Sequence, residues 1–370
     1  MTITEFHPIR KVVVVGSTFG QLYLEALRRC HPGITVTGLL SRGSERSRRI
    51  AEAHGVPLMT RIEDVPDDTD LACVIVRSNG IGGSGTTIAA QLLERGIAVL
   101  HELPVGKKDV ATCLRAAHRG GARFAVADLY RWLPAVRAFR GAARELLAVD
   151  RPLAIDAHLS IQPAYTLARL FTEIGLSTRP VSLQSSQDGT LIGGTLGGVP
   201  VAVRYATVLD ARDTDNDVRF PSMSIHTRSG TLTLADVHGP VHWTPTLHLP
   251  EQAKTGAGYE DDNLNATFSS VELFQLQNTH AQILTDLWPR ALAEQITAMS
   301  CGMSNGDAQR ILQVAQLWES LTGGVEFPAA GGEETDGMKR MHIQERLRAA
   351  ARAAINETHP SKEKEDENLQ

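Results

Sequence analysis

Over the first 130 residues, short apolar runs alternate with stretches of helical periodicity. Lys11-Val12-Val13-Val14-Val15 is an unbroken β-branched run and predicts a buried parallel strand. The turn Gly16-Ser17-Thr18-Phe19-Gly20 follows, and Leu22, Leu24, Ala26 and Leu27 open a helix. A second strand is predicted over Ile34–Leu40, ending in Ser41-Arg42-Gly43-Ser44, and a helix over Ser44–His54 that Gly55 stops. Leu58-Met59 is a short apolar segment before the acidic loop Glu63–Asp70, and Leu71–Arg77 (LACVIVR) is another apolar strand. Thr86–Arg95 reads as a helix stopped by Gly96, Ile97–Leu100 as a strand, Val110–Arg119 as a helix and Phe124–Ala127 as a strand. This alternation predicts a parallel sheet with right-handed crossovers.

The pattern changes near residue 150. Leu153–Ile161 reads as extended, and Val181–Leu249 holds many short strands. Gly197-Gly198 between Thr190–Leu196 and Val199–Val208 is a two-residue hairpin signal, and Ser229-Gly230 separates Ser222–Arg228 from Thr231–Ala235 in the same manner. Polar loops are expected at Asp210–Asp217 and Glu251–Asn263. From Val271 onward the pattern is helical, over Leu276–Met299 and Asn305–Leu321, with a break near Cys301-Gly302. Gly331–Glu334 reads as a linker, Arg340–Ile355 as a basic helix and Asn356–Gln370 as a charged, disordered end. The expected fold class is an α/β Rossmann domain (1–128), an α+β domain with an open, mostly antiparallel sheet and closing helices (129–330), and a charged tail (331–370).

Strand, tight glycine turn and helix is the arrangement that cradles a phosphate, because a helix N-terminus aims unpaired N–H groups and a positive dipole end at an anion. Gly16, Thr18, Phe19 and Gly20 are therefore candidate cofactor-binding residues. The six-residue fingerprint is incomplete, with Thr18 and Gln21 where glycines are usual. The plain alternative is the strand–turn–helix of any doubly wound protein. The end of the second strand commonly carries an acid that bonds a ribose hydroxyl. Here Ser41, Arg42 and Ser44 stand instead, which points to a 2′-phosphate and so to NADPH, although Arg42 alone reads equally as a solvated loop residue. Arg77 and Ser78 end the LACVIVR strand at the same edge, and Gly80, Gly82, Gly83 and Gly85 would let backbone approach a ligand closely. A flexible loop is the plain alternative.

Composition narrows the class without adding chemistry. The chain has 370 residues, 42% hydrophobic and 21% charged, enough for about two ordinary globular domains. A net charge of -5 argues against general nucleic-acid binding. Cys30, Cys73, Cys113 and Cys301 lack metal-ligand spacing and read as buried thiols of a reducing compartment. His238, His242 and His248 lie near one another in sequence, but Gly239-Pro240 and Pro245 break the strand that would align them, and no metal is expected. Without a membrane-length apolar run or a signal-peptide h-region, a cytoplasmic protein with no membrane contact is expected.

The order of elements resembles the glucose-fructose oxidoreductase / inositol dehydrogenase class. That class carries Glu-Lys-Pro after its fifth strand. The matching segment is Glu102-Leu103-Pro104, and the histidine motif of its second domain has no counterpart in Ala164–Gly175. An alcohol dehydrogenase needs a base, and both ionisable groups are missing. The segments GSTFGQLYLEAL, LLSRGSERSR, VIVRSNGIGGSGT, the Glu-Leu-Pro variant and Asp128-Leu129-Tyr130 resemble the thiazolinyl imine reductases of siderophore biosynthesis, over roughly residues 8–330. The resemblance implies NADPH-dependent reduction of a thiazoline C=N to a thiazolidine, on a thioester held by a carrier domain of a nonribosomal peptide synthetase.

Imine reduction needs a hydride at carbon and a proton at nitrogen. Tyr130 follows a predicted strand at the sheet's carboxyl end, and the resemblance makes it a candidate donor. A tyrosine packed between domains with its hydroxyl bonded to backbone is the alternative. His101 lies at another strand end, facing opposite to Leu100 and Glu102, as a proton relay, a partner of the nicotinamide carboxamide or a structural histidine. Glu102 and Pro104 keep the family frame, with Pro104 expected to shape the nicotinamide pocket and a cis bond open to it. Asn79–Gly85 and Arg131-Trp132-Leu133 are expected to line an open cleft for a thin tethered substrate. A homodimer paired through the exposed sheet face is expected. The alternatives are a sugar or polyol dehydrogenase of the same fold and a non-catalytic NADP-binding sensor.

Overall fold

The computed structural model describes residues 8–30, 33–206, 218–248, 268–300, 305–325 and 337–358. The expected loops at 210–217 and 251–263, the break at Cys301-Gly302, the linker at 331–334 and the last twelve residues lie outside them.

The first layer is built from β1 (Lys11–Val15), α1 (Gly20–Cys30), β2 (Thr35–Leu40), α2 (Glu45–His54), β3 (Leu58–Met59), β4 (Leu71–Val74), α3 (Gly85–Glu94), β5 (Ala98–Glu102), α4 (Lys107–Gly120) and β6 (Phe124–Ala127). The strands pair in the order β3-β2-β1-β4-β5-β6, all parallel. Val12 to Val15 are fully buried, as a strand covered on both faces requires. The strand order reverses between β1 and β4, and the crevice at the carboxyl ends beside such a reversal is where open α/β sheets bind ligands.

Two boundaries differ from the periodicity. The strand LACVIVR leaves the ladder after Val74, once Ile75 N–H has bonded Val15 O. Helix α4 begins at Lys107, three residues before the apolar pattern starts. Gly106 is extended there and Asp109 lies in the first turn, where an acid favours the helix.

A second layer follows with α5 (Pro134–Val149), β7 (Ala154–Leu159), α6 (Ala164–Glu173), β8 (Val181–Ser185), β9 (Leu191–Leu196), β10 (Val199–Tyr205), β11 (Ser222–His226), β12 (Gly230–Leu234), β13 (Val241–Pro245) and β14 (Val271–Phe274). The eight strands pair as β14-β13-β12-β11-β7-β10-β9-β8, antiparallel except for β7 with β10. Gly197 and Gly198, at φ +58° and +85°, make the expected two-residue turn between Leu196 and Val199. The other turn is shifted by one residue: Arg228-Ser229 form its tip, because Thr227 N–H bonds Gly230 O at 2.8 Å and the Thr227 hydroxyl takes the Gly230 N–H. Val271–Phe274 is a strand, not the helix expected there. It adds an edge to β13, and helix begins only at His280.

One face of this sheet is buried through Ile155, Leu159, Val203, Ile225, Leu232 and Leu234. The other is polar: His226 bridges Asp156 (2.9 Å) and Thr231 (3.1 Å) across β7, β11 and β12. After β14, a turn at His280–Gln282 and a π-helical stretch at Ile283–Leu287 lead into α7 (Trp288–Ala298), which packs on α1. Helix α8 (Asn305–Thr322) packs on α6 and α4.

A second compact unit holds residues 207–218 and 327–370. Its described part is chiefly α9 (Gly337–Thr358), the expected basic helix, with Ile343 and Leu347 exposed on it. It extends through Asn356–Thr358, which were expected to be disordered. Among the described residues no helix is long and apolar enough to cross a membrane, and no three His, Cys, Asp or Glu side chains gather to hold a metal.

Candidate active site

The parallel register brings five loops to one edge. Val15, Val74, Glu102 and Ala127 end neighbouring strands, so Gly16–Gly20, Ser41–Ser44, Ile75–Ser78, Glu102–Pro104 and Asp128–Tyr130 lie together. At the β1 turn, Gly16 has φ +98°, and a Cβ there would stand 2.6 Å from Ile75 O. No other residue fits without moving β4. Gly20 opens α1 hard against β1, where a Cβ would come within 3.1 Å of Val14. Thr18 is exposed in the turn and Phe19 half-buried. The turn's free N–H groups at the start of α1 therefore face an open edge, which fits the pyrophosphate of a dinucleotide.

At the end of β2, Ser44 caps α2: its hydroxyl accepts from Ser47 N–H (3.3 Å) and meets the Ser47 hydroxyl at 2.9 Å. The Ser41 hydroxyl accepts from Gly43 N–H at 3.4 Å. Arg42 is exposed and makes no ion pair among the described residues. It is the one cation of this loop available to a phosphate.

The loop after β4 is folded tightly on itself. Cβ atoms at Gly83 and Gly85 would overlap the Arg77 and Val76 carbonyl oxygens, and one at Gly80 would meet Asp109 Oδ2 at 2.9 Å. These glycines let the chain approach itself, not a ligand. Ser78 is fully buried, and its hydroxyl donates to Pro104 O at 3.1 Å. That bond ties this loop to the turn after β5, where Leu103-Pro104 is cis.

His101 and Glu102 are adjacent and face opposite ways. His101 is fully buried on the α3 side. Its Nδ1 lies 2.9 Å from Glu102 O, so Nδ1 carries the proton, and Nε2 has no hydrogen-bond partner and points at Gly85. Burial pushes its pKa down to about 4. Glu102 faces α1, where Tyr23 donates to its carboxylate. Burial pushes Glu102 up to about 8, with Asp128 adding in the same direction against the Tyr23 bond. Tyr130 is also raised, by burial first and then by Glu102 and Asp128. Its hydroxyl makes no hydrogen bond among the described residues.

Residues 10–127 match the family described as oxidoreductase family, NAD-binding Rossmann fold (GFO_IDH_MocA). The match spans the parallel-sheet domain alone. Solved structures share the whole fold at low identity. A dehydrogenase from Chromobacterium violaceum is 14% identical with a TM-score of 0.62, over 93% of this chain and 99% of its own. A UDP-N-acetylglucosamine 3-dehydrogenase from Acidithiobacillus ferrooxidans is 12% identical with a TM-score of 0.59, over 86% and 98%. A 3-ketoreductase from Actinomadura kijaniata, in complex with TDP-benzene and NADP, is 15% identical with a TM-score of 0.58, over 88% and 99%. No curated protein matches the chain.

The space beside Tyr130 is walled by rings that sequence reasoning did not connect to it. Tyr130 lies 5.1 Å from Phe220 and 6.0 Å from Trp288, centroid to centroid. Trp288 lies 6.3 Å from Phe19 and stacks on His238 at 6.2 Å. Trp288 Nε1 donates to His238 Nε2 (3.1 Å), so His238 Nδ1 holds the proton and donates to Asp236 at 2.7 Å. All five rings are half-buried. Three of them come from beyond residue 218, and only their spacing to turn signals was visible in the sequence. Trp132 lines a cavity of about 270 Å³ with Leu100, Asp128, Arg169 and Arg310, and none of Asn79–Gly85 lines that cavity.

Proposed function

We propose that the protein is an NADPH-dependent reductase of a thiazoline C=N, acting on an intermediate tethered to a nonribosomal peptide synthetase carrier. The observation that carries this reading is the half-buried Tyr130 hydroxyl at the strand ends, without a hydrogen-bond partner among the described residues and walled by Phe220 and Trp288. Burial raises Glu102 to about 8 and so favours its protonated form, whereas His101 is pushed down to about 4 and turned to the opposite face of the sheet. A dehydrogenase needs a base at this point, whereas a reductase needs an acid. When bound, the reduced nicotinamide supplies hydride to the imine carbon. Tyr130 gives the proton to the imine nitrogen in this reading, since its hydroxyl makes no hydrogen bond among the described residues. Glu102 sits behind it with Tyr23 as a proton-holding neighbour. Phe19, Phe220 and Trp288 offer ring faces and edges to a flat heterocycle. Gly16–Gly20 would hold the pyrophosphate, and Ser41 with Arg42 the 2′-phosphate. The polar face of the eight-stranded sheet is the surface for pairing two copies.

The decisive assay is NADPH oxidation with a synthetic thiazoline thioester, small or carrier-bound. Turnover is expected with both, faster with the carrier. No oxidation with either overturns the reading. A second reading, oxidation of a sugar or sugar nucleotide, is favoured by the descriptions of two structural neighbours as a UDP-N-acetylglucosamine 3-dehydrogenase and a 3-ketoreductase. NADP reduction by such a substrate would establish it.

A further inference from the structure

The turn that carries Tyr130 continues into a charged cluster that the proposed reaction does not use. Glu173 at the end of α6 and Asp128 after β6 are both buried, at 6% and 1% exposure. Arg131 Nε and Arg140 Nη1 each reach a Glu173 carboxylate oxygen at 2.7 Å, and Arg169 Nε reaches Asp128 at 3.2 Å. Arg144 Nε donates to the Glu173 backbone carbonyl at 2.6 Å and has no carboxylate partner among the described residues. Three guanidinium groups thus meet two carboxylates, and a fourth, Arg144, lies beside them on a backbone carbonyl. Burial opposes ionisation of Glu173, but Arg131 and Arg169 outweigh it and hold its carboxyl below the usual range. Arg131 is itself held below its ordinary value, by burial and then by Arg169 and Arg140, against the pull of Glu173.

This surplus of positive charge borders open space. A cavity of about 540 Å³ is lined by Arg131, Arg144, Thr172, Glu173 and Arg310. It shares Arg131, Glu173 and Arg310 with the cavity beneath Trp132. Among the described residues Arg310 pairs with one acid, Asp307, at 3.6 Å and at an exposed position. The Arg131 Cζ lies 4.9 Å from the centroid of the Trp132 ring. A concave, partly desolvated surface with unmatched guanidinium groups attracts an oxyanion, and planar guanidinium forks bind phosphate oxygens in pairs.

We propose that this cavity is a second ligand site, which binds a phosphate-bearing polyanion through Arg131, Arg144 and Arg310. It is distinct from the dinucleotide edge, because its residues lie on α5, α6, α8 and the turn Leu129–Trp132, and none belongs to the loops after β1 or β2. Arg131 follows Tyr130 directly, so an occupant also clamps the turn that presents that hydroxyl.

Calorimetric titration of the full chain with pyrophosphate tests the site, with and without saturating NADP. The expected result is sub-millimolar binding that persists with NADP present and weakens at least tenfold in Arg144→Ala/Arg310→Ala. Both side chains are exposed and outside the core, so folding is expected to survive, and an unchanged thermal midpoint confirms it. Three results overturn the proposal: no binding to the wild type, equal binding to the double variant, or binding that NADP abolishes, which would assign the anion to the dinucleotide edge. Potassium chloride at matched ionic strength is the control, and an equal heat from it also overturns the proposal.

Discussion

The loops after β1 and β2 share an edge with those after β5 and β6, yet the two regions are built on opposite principles. The first is open and polar. Thr18 and Arg42 are exposed, and the one strict demand is steric, at Gly16. The second is half-buried and aromatic, and its ionisable groups are displaced from their ordinary pKa values. The difference fits the role proposed for each region. Phosphates arrive charged and hydrated, and are met by N–H groups and cations that water can also reach. A proton-transfer site gains from burial where a carboxyl is raised toward neutral pH and can hold a proton.

The largest expected effect sharpens the second region and concerns His101. Its folded pKa is depressed from 6.5 to about 4, so the unfolded chain binds the extra proton first as pH falls. Its penalty is absent above pH 6.5, grows as pH drops and saturates below 4, at roughly 3 kcal/mol. Denaturant titration of the cofactor-free protein should show this loss, and His101→Gln should flatten that limb. Glu102 has the opposite sign: raised to about 8, it stabilises the fold below its ordinary value, and that contribution is lost as pH rises through 8. The Glu102 limb lies between pH 4.5 and 8, and Glu102→Gln should remove it. Equal slopes in the wild type and both variants would break the contrast between the two faces of β5.

Next in size is the proton donor. Tyr130→Phe is expected to lower turnover about 100-fold with cofactor affinity unchanged. A loss below about threefold would move the proton to water or to Glu102.

The smallest effect tests the open region. NADPH should bind at least about tenfold more tightly than NADH, through Ser41 and Arg42, with Ser44 already engaged in capping α2. Ser41→Asp with Arg42→Ala should erode the preference. Equal wild-type affinities for the two cofactors would remove the 2′-phosphate contact from the account.

The sequence alone determined the elements that local pattern dictates. Val12–Val15 can be buried on both faces only in a covered strand, Gly16 and Gly20 mark the turn, and Gly197-Gly198 has the freedom of a hairpin tip. Alternation of such elements was enough to place Arg42, Glu102 and Tyr130 on one edge. Where Val271 pairs, how Gly83 and Gly85 are used, and which face His101 occupies relative to a helix were decided by tertiary structure. Each depends on a neighbour far along the chain: β13 for β14, the Arg77 carbonyl for Gly83, α3 for His101. The ring wall of Phe19, Phe220, His238 and Trp288 and the meeting of Arg131, Arg144 and Arg310 are of the same kind. Their residues lie tens to hundreds of positions apart, and no periodicity records a contact that only the packing of α7 and α8 against the sheets creates.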